Sequence, residues 1–322
     1  MEGSVFIAGG AGFIGSAFVD RLLAAEPVER VTVYDNMSSG RPWHLAQHEG
    51  DPRLRVVAAD ILDLDALAEA MAGSTSVIHL ASNPDIARAA TEPTIDFDQG
   101  TLLTNNIVEA MRRTGATRIM YSSGSGVYGD LGELEVQEDH GPLVPISTYG
   151  ASKLAGEALI SAYCYMFDMT GLVFRFGNVV GPRQTHGVGF DFVRNLLADP
   201  HRLRILGDGT QSKSYIAVDD VVEAVLLAAA QPARAVTAYN IATGDYISVR
   251  DIAELAVEVV GTRGTTEFDF TGGSRGWKGD VPVVRLNTDR IRALGWSNRL
   301  GSREALRTSM TALLDDAKAG RL

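Results

Sequence analysis

Cysteine is nearly absent: Cys164 is the only one among 322 residues. That excludes an intrachain disulfide and fits a reducing cytoplasm. Cys164 lies in Ser161-Ala162-Tyr163-Cys164-Tyr165, inside a helical pattern with no cationic neighbour to favour a thiolate, and so reads as a buried packing residue. Long apolar runs are also missing. The longest, 221–230, falls far short of the roughly 18 residues a membrane span needs. The first, Val5-Phe6-Ile7-Ala8, is too short for a signal peptide and runs straight into glycines. Positive charge is scarce: 29 Lys and Arg face 40 Asp and Glu, a formal net charge of −11. This argues against wrapping nucleic acid or lying on an anionic membrane, while leaving room for a local basic pocket that holds a diphosphate. No His, Asp and Glu cluster with ligand spacing, so no metal is expected. There is no internal repeat and no low-complexity tract. What is left is a soluble cytoplasmic protein of one large or two intimate domains, with 45% hydrophobic and 21% charged residues.

What the chain does contain is an alternation of short β-branched runs with helical patterns. Strands are predicted at 4–8, 30–34, 54–58, 76–80, 118–122 and 172–176, and helices at 12–25, 64–71, 94–113 and 148–167. Runs apolar on both faces, alternating with helices, predict an α/β fold with a doubly wound parallel sheet of Rossmann type. After Gly177 the rhythm changes. An irregular loop at 181–189 precedes a helix at 190–198, a short strand at 203–206, a helix at 218–230 and a strand at 238–242. Helices near 249–260 and 302–318 belong to a smaller α/β lobe. The expected division is therefore interleaved: 1–177 with 217–242 returning to it, and 178–216 with 243–322.

The first strand runs into Gly9-Gly10-Ala11-Gly12-Phe13-Ile14-Gly15 and then a helix. Gly9, Gly12 and Gly15 permit a tight turn, approach of a pyrophosphate to the helix N-terminus, and close packing of helix on strand. A glycine triplet alone is weak, but Asp35 ends the second strand 20 residues after Gly15. A carboxylate there accepts from both ribose hydroxyls and repels a 2′-phosphate, which selects NAD over NADP. The nearest cation, Arg41, precedes Pro42 in a loop. Asp60, with Ile61, ends the third strand where it can accept from the adenine amino group, whereas Asp63 better suits a helix N-cap. Leu80, Ala81 and Ser82 end the fourth strand with small residues that admit cofactor phosphates and ribose. Phe13, Ile14, Asn36, Met37, Ser38, Ser39, Gly40, Gln99 and Ser122 complete the expected NAD contacts.

Tyr149-Gly150-Ala151-Ser152-Lys153 opens a helix. Residues i and i+4 share a face, so phenol and ammonium point the same way. A free tyrosine has a pKa near 10. A lysine cation and the positive nicotinamide ring should lower it by about three units, roughly 4 kcal/mol, and make Tyr149 a base. Lys153 should also hydrogen-bond the nicotinamide ribose.

With these residues the sequence resembles the extended short-chain dehydrogenase/reductase family, in its nucleotide-sugar epimerase/dehydratase branch. The matching pieces are the glycine turn, Tyr34-Asp35-Asn36, Asp60-Ile61, His79-Leu80-Ala81, 121–129, Tyr149 to Lys153, Arg175-Phe176-Gly177-Asn178, Gly207-Asp208-Gly209 and Val218-Asp219-Asp220. They keep the family order over nearly the whole chain. Two departures carry information. Epimerase members have Ser or Thr three residues before the valine of Val127-Tyr128-Gly129, where this chain has Gly124. Either Ser123 or Ser125 takes over, or Tyr149 acts without a hydroxyl partner. Dehydratases carry Asp-Glu at the next two positions, which here are Ser125 and Gly126. Elimination of water needs an acid and a base that neither residue supplies.

The resemblance therefore implies a 4-epimerase acting on a UDP-hexose or UDP-hexuronic acid through a 4-keto sugar. Its rivals are a dehydratase, decarboxylase or reductase of the same branch, and a catalytically silent NAD-binding regulatory protein. For the substrate the resemblance implies Asn178 at the diphosphate and Arg204, Ile205 and Leu206 along the nucleobase, with backbone groups there reading uracil's edge. The family's diphosphate arginines fall on Lys213 and on Trp277, the latter flanked by Arg275 and Lys278, either of which can take the phosphate. Asp280 would receive a ribose hydroxyl or a cation. Asn83 and Arg88 should adjoin the hexose, Arg88 facing a uronate carboxylate or pairing with Asp85 or Glu92. His79, in an apolar strand, reads as a core histidine. A homodimer built on helices around 94–113 and 148–167 is also implied.

Overall fold

The structure, a computed structural model, describes residues 3–24, 27–232 and 234–321. Strands β1 (Gly3–Ala8), β2 (Val28–Asp35), β3 (Leu54–Ala58), β4 (Ser76–His79) and β5 (Arg118–Gly124) join Thr170–Phe176 and Val236–Ile241 in one seven-stranded sheet. Its order is Val236–Ile241, Thr170–Phe176, β5, β4, β1, β2, β3. β1 pairs in parallel with β2 and β4, β2 with β3, and β4 with β5. Strand order thus reverses at β1: the chain steps outward to β3, then crosses back to β4 on the other side. Such a switch point leaves a crevice beyond the carboxyl ends of β1 and β4, where sheets of this kind bind ligands. The expected Rossmann-type α/β fold is the one observed.

Helices α1 (Phe13–Leu23), α2 (Leu64–Met71), α3 (Leu103–Thr114) and α4 (Thr148–Met166) connect these strands. The expected end of the first helix at Ala25 lies outside the described residues. Local chemistry sets several ends. Asp63 caps α2 by accepting from the Ala66 N–H at 3.1 Å, and Gly115 ends α3 in a left-handed conformation. β3 departs from the expectation of burial on both faces, because it is the sheet edge and leaves Val56 exposed.

Residues 94–113 are not the single helix that their periodicity predicts. A 3-10 segment, Ile86–Ala90, and a π-helical turn, Phe97–Leu102, with Gln99 out of helical geometry, precede α3. Two contacts account for the break. The Thr104 hydroxyl donates back to the Gly100 carbonyl at 2.9 Å, in competition with the backbone ladder. Gly100 also packs so close to α4 that a Cβ would stand 2.7 Å from Ser152 Oγ.

Contacts divide the chain into two units, Met1–Val127 with Thr148–Arg175 and Val222–Tyr239, and Tyr128–Ser147 with Phe176–Val221 and Asn240–Leu322. Residues 128–147 group with the second unit, whereas the sequence places them in the first. The core of the first unit gathers Phe6, Tyr34, Leu67, Met71, Ile107, Met111, Tyr121 and Ile160. Cys164 packs there too, its thiol pushed up to about 11 by burial. The second unit packs the helices Val188–Ala198, Val249–Val260 and Ser302–Lys318 around Leu203, Ile205, Leu255, Leu306 and Met310. Each such side chain contributes roughly 1.5–3 kcal/mol by leaving water. No helix among the described residues is long and apolar enough to cross a membrane.

Candidate active site

β1 ends at Ala8 and the chain turns through Gly9 to Gly12 before α1 begins. Gly9 has φ +82°, and a Cβ on it would lie 2.9 Å from the Ala81 nitrogen at the end of β4. A Cβ on Gly15 would lie 2.2 Å from the Gly9 carbonyl oxygen. Only glycine closes this turn. α1 has no acidic residue in its first turn, and Gly12 offers no side-chain cap. The positive end of its dipole is therefore not neutralised, and the first N–H groups are free of side-chain acceptors. Phe13 is buried under the turn.

Asp35 closes β2 and is buried. Its Oδ2 accepts from the Ala11 N–H and its Oδ1 from the Met37 N–H, each at 2.9 Å. The carboxylate thus ties the glycine turn to residues 36–40, and each oxygen keeps a lone pair for a further donor. Gly40 packs against it: a Cβ there would lie 2.8 Å from Oδ1. Asp60 is exposed two residues past β3, accepts from Leu62 N–H at 2.9 Å and pairs with Asn36 at 3.3 Å. Asn36 also caps Ser38 N–H at 3.1 Å. Ile61 turns into the core, its carbonyl accepting from Asn106 at 3.0 Å. Its side chain and that carbonyl lone pair are therefore engaged within the fold, which leaves the backbone N–H for the expected contact. Leu80 and Ala81 both donate their N–H groups to the Ala8 carbonyl, at 2.9 and 3.1 Å.

Tyr149 is the second residue of α4. Lys153, one turn later, is 2% exposed. Its Nζ donates to the Ser122 carbonyl at 2.8 Å and stands 5.5 Å from the Tyr149 ring centroid and 5.2 Å from that of Tyr121. The expected shared face is present. The electrostatics of the protein alone run opposite to expectation. Burial pushes the Tyr149 phenol up to about 12, opposed by a hydrogen bond from Ser82 and reinforced by the Asp96 carboxylate. Burial brings Lys153 down to about 7, against the pull of Asp96 and Glu157. Removing water from both groups outweighs their mutual effect. His79 beneath them is buried, bonded through Nε2 to Thr104 Oγ1 at 3.0 Å, and held down to about 3 by burial and by Lys153. Its Nδ1 has no hydrogen-bond partner among the described residues, so the core histidine is satisfied on one side only.

Several expected residues have other work. Ser123 is buried and donates to Glu157 Oε1 at 2.5 Å, and Glu157 is held in turn by Arg175 at 2.7 Å. This corrects Ser123 as a stand-in for the missing hydroxyl, because its proton is committed to a carboxylate. Ser125 is half-buried in the turn Ser125–Tyr128. A Cβ on Gly124 would meet nothing within 4 Å. Ser82, expected at the cofactor, is half-buried just past the end of β4. Asn83 is corrected as a sugar contact. It is 3% exposed, and its amide spends its donors on the Asp85 carbonyl and Asp96 Oδ1, both at 2.9 Å. Arg88 lies exposed against Glu92 at 2.8 Å, the pairing that spacing allowed. Gln99 is exposed at the kink and accepts from Asn83 N–H at 3.1 Å.

In the second unit Asn178 is exposed and donates to the Ser214 carbonyl at 3.3 Å. Arg204 is exposed and Leu206 is half exposed, but Ile205 is in the core and its carbonyl accepts from Thr271 N–H at 3.0 Å. That removes the Ile205 side chain, and this carbonyl lone pair, from base recognition. Two of the basic residues are paired internally. Lys213 donates to Asp280 Oδ1 at 2.7 Å. Arg275 bonds the Asp280 carbonyl and Asp130 Oδ2. The cation that Asp280 receives is thus the chain's own Lys213. Lys278 is exposed and makes no ion pair among the described residues.

Sequence reasoning missed two buried carboxylates. Glu157 lies four residues beyond Lys153 on the same face of α4, a spacing that could have revealed it. Asp96, 1% exposed, accepts from Asn83 at 2.9 Å and from the Thr148 hydroxyl at 2.6 Å. No local signal marks it. Among the described residues no group of His, Cys, Asp and Glu is placed to hold a metal ion.

Known proteins are similar to this chain over nearly its whole length. Residues 5–242 match the model of the NAD dependent epimerase/dehydratase family. A UDP-glucose 4-epimerase of Mycolicibacterium smegmatis is 34% identical over 307 residues, covering 93% of this chain and 95% of that protein. A crystal structure of a UDP-galactose 4-epimerase superposes with TM-score 0.86 at 34% identity, over 97% of this chain and 99% of its own. The Thermus thermophilus UDP-glucose 4-epimerase in complex with NAD superposes with TM-score 0.83 at 29% identity, over 97% and 99%. With its glycine turn, Asp35 and the Tyr149–Lys153 pair at the ends of a switched parallel sheet, the chain belongs to the NAD dependent epimerase/dehydratase family.

Proposed function

We propose that the protein is an NAD-dependent 4-epimerase of a nucleotide sugar, a UDP-hexose or UDP-hexuronic acid. The observation that carries this is Tyr149, set one helical turn before a buried lysine that the Ser122 carbonyl anchors. Similarity over nearly the whole chain to a UDP-glucose 4-epimerase supports it. The residues fit the dinucleotide: a turn with no room for a Cβ at Gly9 or Gly15, an uncapped helix N-terminus, and Asp35 with lone pairs to spare for ribose hydroxyls.

The glycine turn, the N-terminus of α1 and Asp35 would hold NAD, which when bound in its oxidised form would supply a reversible hydride acceptor for the sugar C4. Tyr149 accepts the proton of the C4 hydroxyl and gives it back to the ketone oxygen once the sugar has turned its other face. Because burial, reinforced by the Asp96 charge, pushes this phenol up to about 12, it becomes a base only with positive charge beside it, from Lys153 and from an oxidised nicotinamide. Base strength is thereby tied to the oxidised, loaded state. Lys153, now on the Ser122 carbonyl, would also hydrogen-bond the nicotinamide ribose. Ser125 and Gly126 carry no acid and no base, which favours inversion over the dehydratase alternative of the same family. A rotating sugar must be held loosely, so binding strength resides on the diphosphate, with Asn178, Lys213, Arg275 and Lys278 as its candidates. Lys213 and Arg275 must exchange the carboxylates they now face for phosphate. In this reading the first unit is the dinucleotide-binding domain and the second the sugar-nucleotide lobe. The protein works in the cytoplasm as a homodimer, a state that sedimentation tests.

Purified protein incubated with UDP-glucose, UDP-galactose and their uronic and N-acetyl forms is expected to equilibrate at least one C4 pair at unchanged mass. A product lighter by water or carbon dioxide, with no C4 inversion, would reject the assignment.

A further inference from the structure

α4 is pinned to the end of β5 at two successive residues. Lys153 donates from Nζ to the Ser122 carbonyl at 2.8 Å. One turn later on α4, Glu157 accepts the Ser123 hydroxyl on Oε1 at 2.5 Å. The peptide unit between Ser122 and Ser123 is thus held at both ends, its carbonyl by the lysine and the residue beyond it by the glutamate. Glu157 is itself fixed. Arg175, on the strand Thr170–Phe176, donates to Oε1 from Nε at 3.0 Å and to Oε2 from Nη2 at 2.7 Å. Ser122, Ser123, Lys153, Glu157 and Arg175 are all buried. Gly124 closes β5 with no side chain and with open space where one would stand, so Ser123 is the last residue of the strand that a side chain can anchor.

We propose that Ser123 and Glu157 are positioning residues of the reaction: through the Ser122–Ser123 peptide they hold the carbonyl that fixes Lys153 Nζ, and so keep the ammonium beside the Tyr149 ring. Neither residue transfers a proton. The proton moves between the sugar hydroxyl and Tyr149, while the Ser123 hydroxyl stays on the Glu157 carboxylate throughout. A carbonyl oriented toward Nζ stabilises the ammonium more than the amine, because hydrogen bonds to a charged donor are the stronger ones. The Glu157 charge acts in the same sense, against the burial that disfavours it. The other titratable groups around Nζ are Asp96, which also favours the ammonium, Tyr149 on α4, Tyr121 on β5 and His79 on β4. Arg175 is held on the Glu157 carboxylate.

This inference rests on the epimerase reading, and one set of measurements separates the two. The only lysines of the chain are Lys153, Lys213, Lys278 and Lys318. NAD-loaded protein labelled with carbon-13 at lysine Cε therefore reports the ionisation of each, and the resonance missing from Lys153→Met identifies Lys153. Ser123→Ala leaves the Arg175–Glu157 pair in place and is expected to lower the Lys153 midpoint by about half a pH unit. It should also lower kcat about tenfold at neutral pH, with KM within about twofold and melting temperature near wild type. Ser123→Thr, which keeps the hydroxyl, is expected to restore midpoint and kcat together. An unchanged Lys153 midpoint in Ser123→Ala, or an equal fall in Ser123→Thr, overturns the proposal while wild-type C4 inversion still stands. Failure of the epimerase reading instead leaves the Lys153 shift in place and removes the inversion.

Discussion

In the proposed reaction Lys153 has two jobs that pull against each other. It is buried deeply enough that its own charge is weakened, toward a pKa of about 7, and it must stay charged to favour the Tyr149 phenolate. Asp96 and Glu157 resolve the conflict by drawing it back toward the ammonium, and the Ser122 carbonyl holds its position. Removal of the phenol oxygen deletes the base outright: Tyr149→Phe should lower kcat roughly 10³-fold, the usual scale of general-base catalysis, while melting temperature and NAD content stay near wild type. Retention of most activity would displace Tyr149 from its role. At this scale the sequence disclosed what spacing encodes. Tyr149 and Lys153 are one turn apart, and Glu157 a turn further could have been read the same way. Asp96 could not, because its partners Asn83 and Thr148 are 13 and 52 residues distant and meet only in the folded chain. The electrostatics were also illegible, since desolvation depends on packing that no local pattern shows.

Among the elements, α4 and the strand Thr170–Phe176 are joined by a buried ion pair, Arg175 with Glu157, whose side chains are 6% and 11% exposed. The guanidinium bonds both carboxylate oxygens, at 3.0 and 2.7 Å, and Ser123 on β5 adds a third donor. Arg175→Met would leave a buried carboxylate without its cation, and denaturant unfolding is expected to show a loss of about 3–5 kcal/mol. A change under about 1 kcal/mol would mean that Glu157 relaxes to water or is protonated. Element boundaries were read from period and caps, and held where both agreed, as in α2 and in Val249–Val260 with its Ser248 capping box. Residues 94–113 failed because apolar spacing does not distinguish one continuous helix from a π-helical turn followed by another. The break there is imposed by the approach of Gly100 to Ser152 on α4. The resemblance implies Ile205 along the nucleobase with its neighbours, and the period-2 alternation of the strand turns its side chain into the core.

For the molecule as a whole, alternating strand and helix patterns and one glycine turn were enough to anticipate the parallel sheet. The placement of residues 128–147 was not, because contacts in three dimensions decide it. Buried groups also set how stability responds to acid. His79 binds its proton near 3 in the folded state and near 6.5 when exposed. Between those values the unfolded chain holds more protons, so stability contributed by the neutral ring is full above 6.5 and lost as pH falls toward 3, about 5 kcal/mol at most. Denaturant midpoints of the wild type should fall across this window, and those of His79→Asn should fall less steeply. Parallel slopes would assign the acid sensitivity elsewhere. The function asks for a different measurement, the fate of the C4 hydrogen. UDP-glucose carrying deuterium at C4, or whichever epimer pair the protein accepts, is to be converted in ordinary water and its product examined by NMR. Retention of deuterium at the inverted carbon is the expected result, since the hydride leaves and returns without meeting solvent. Replacement of that deuterium by solvent hydrogen would mean proton abstraction at carbon and contradict the account.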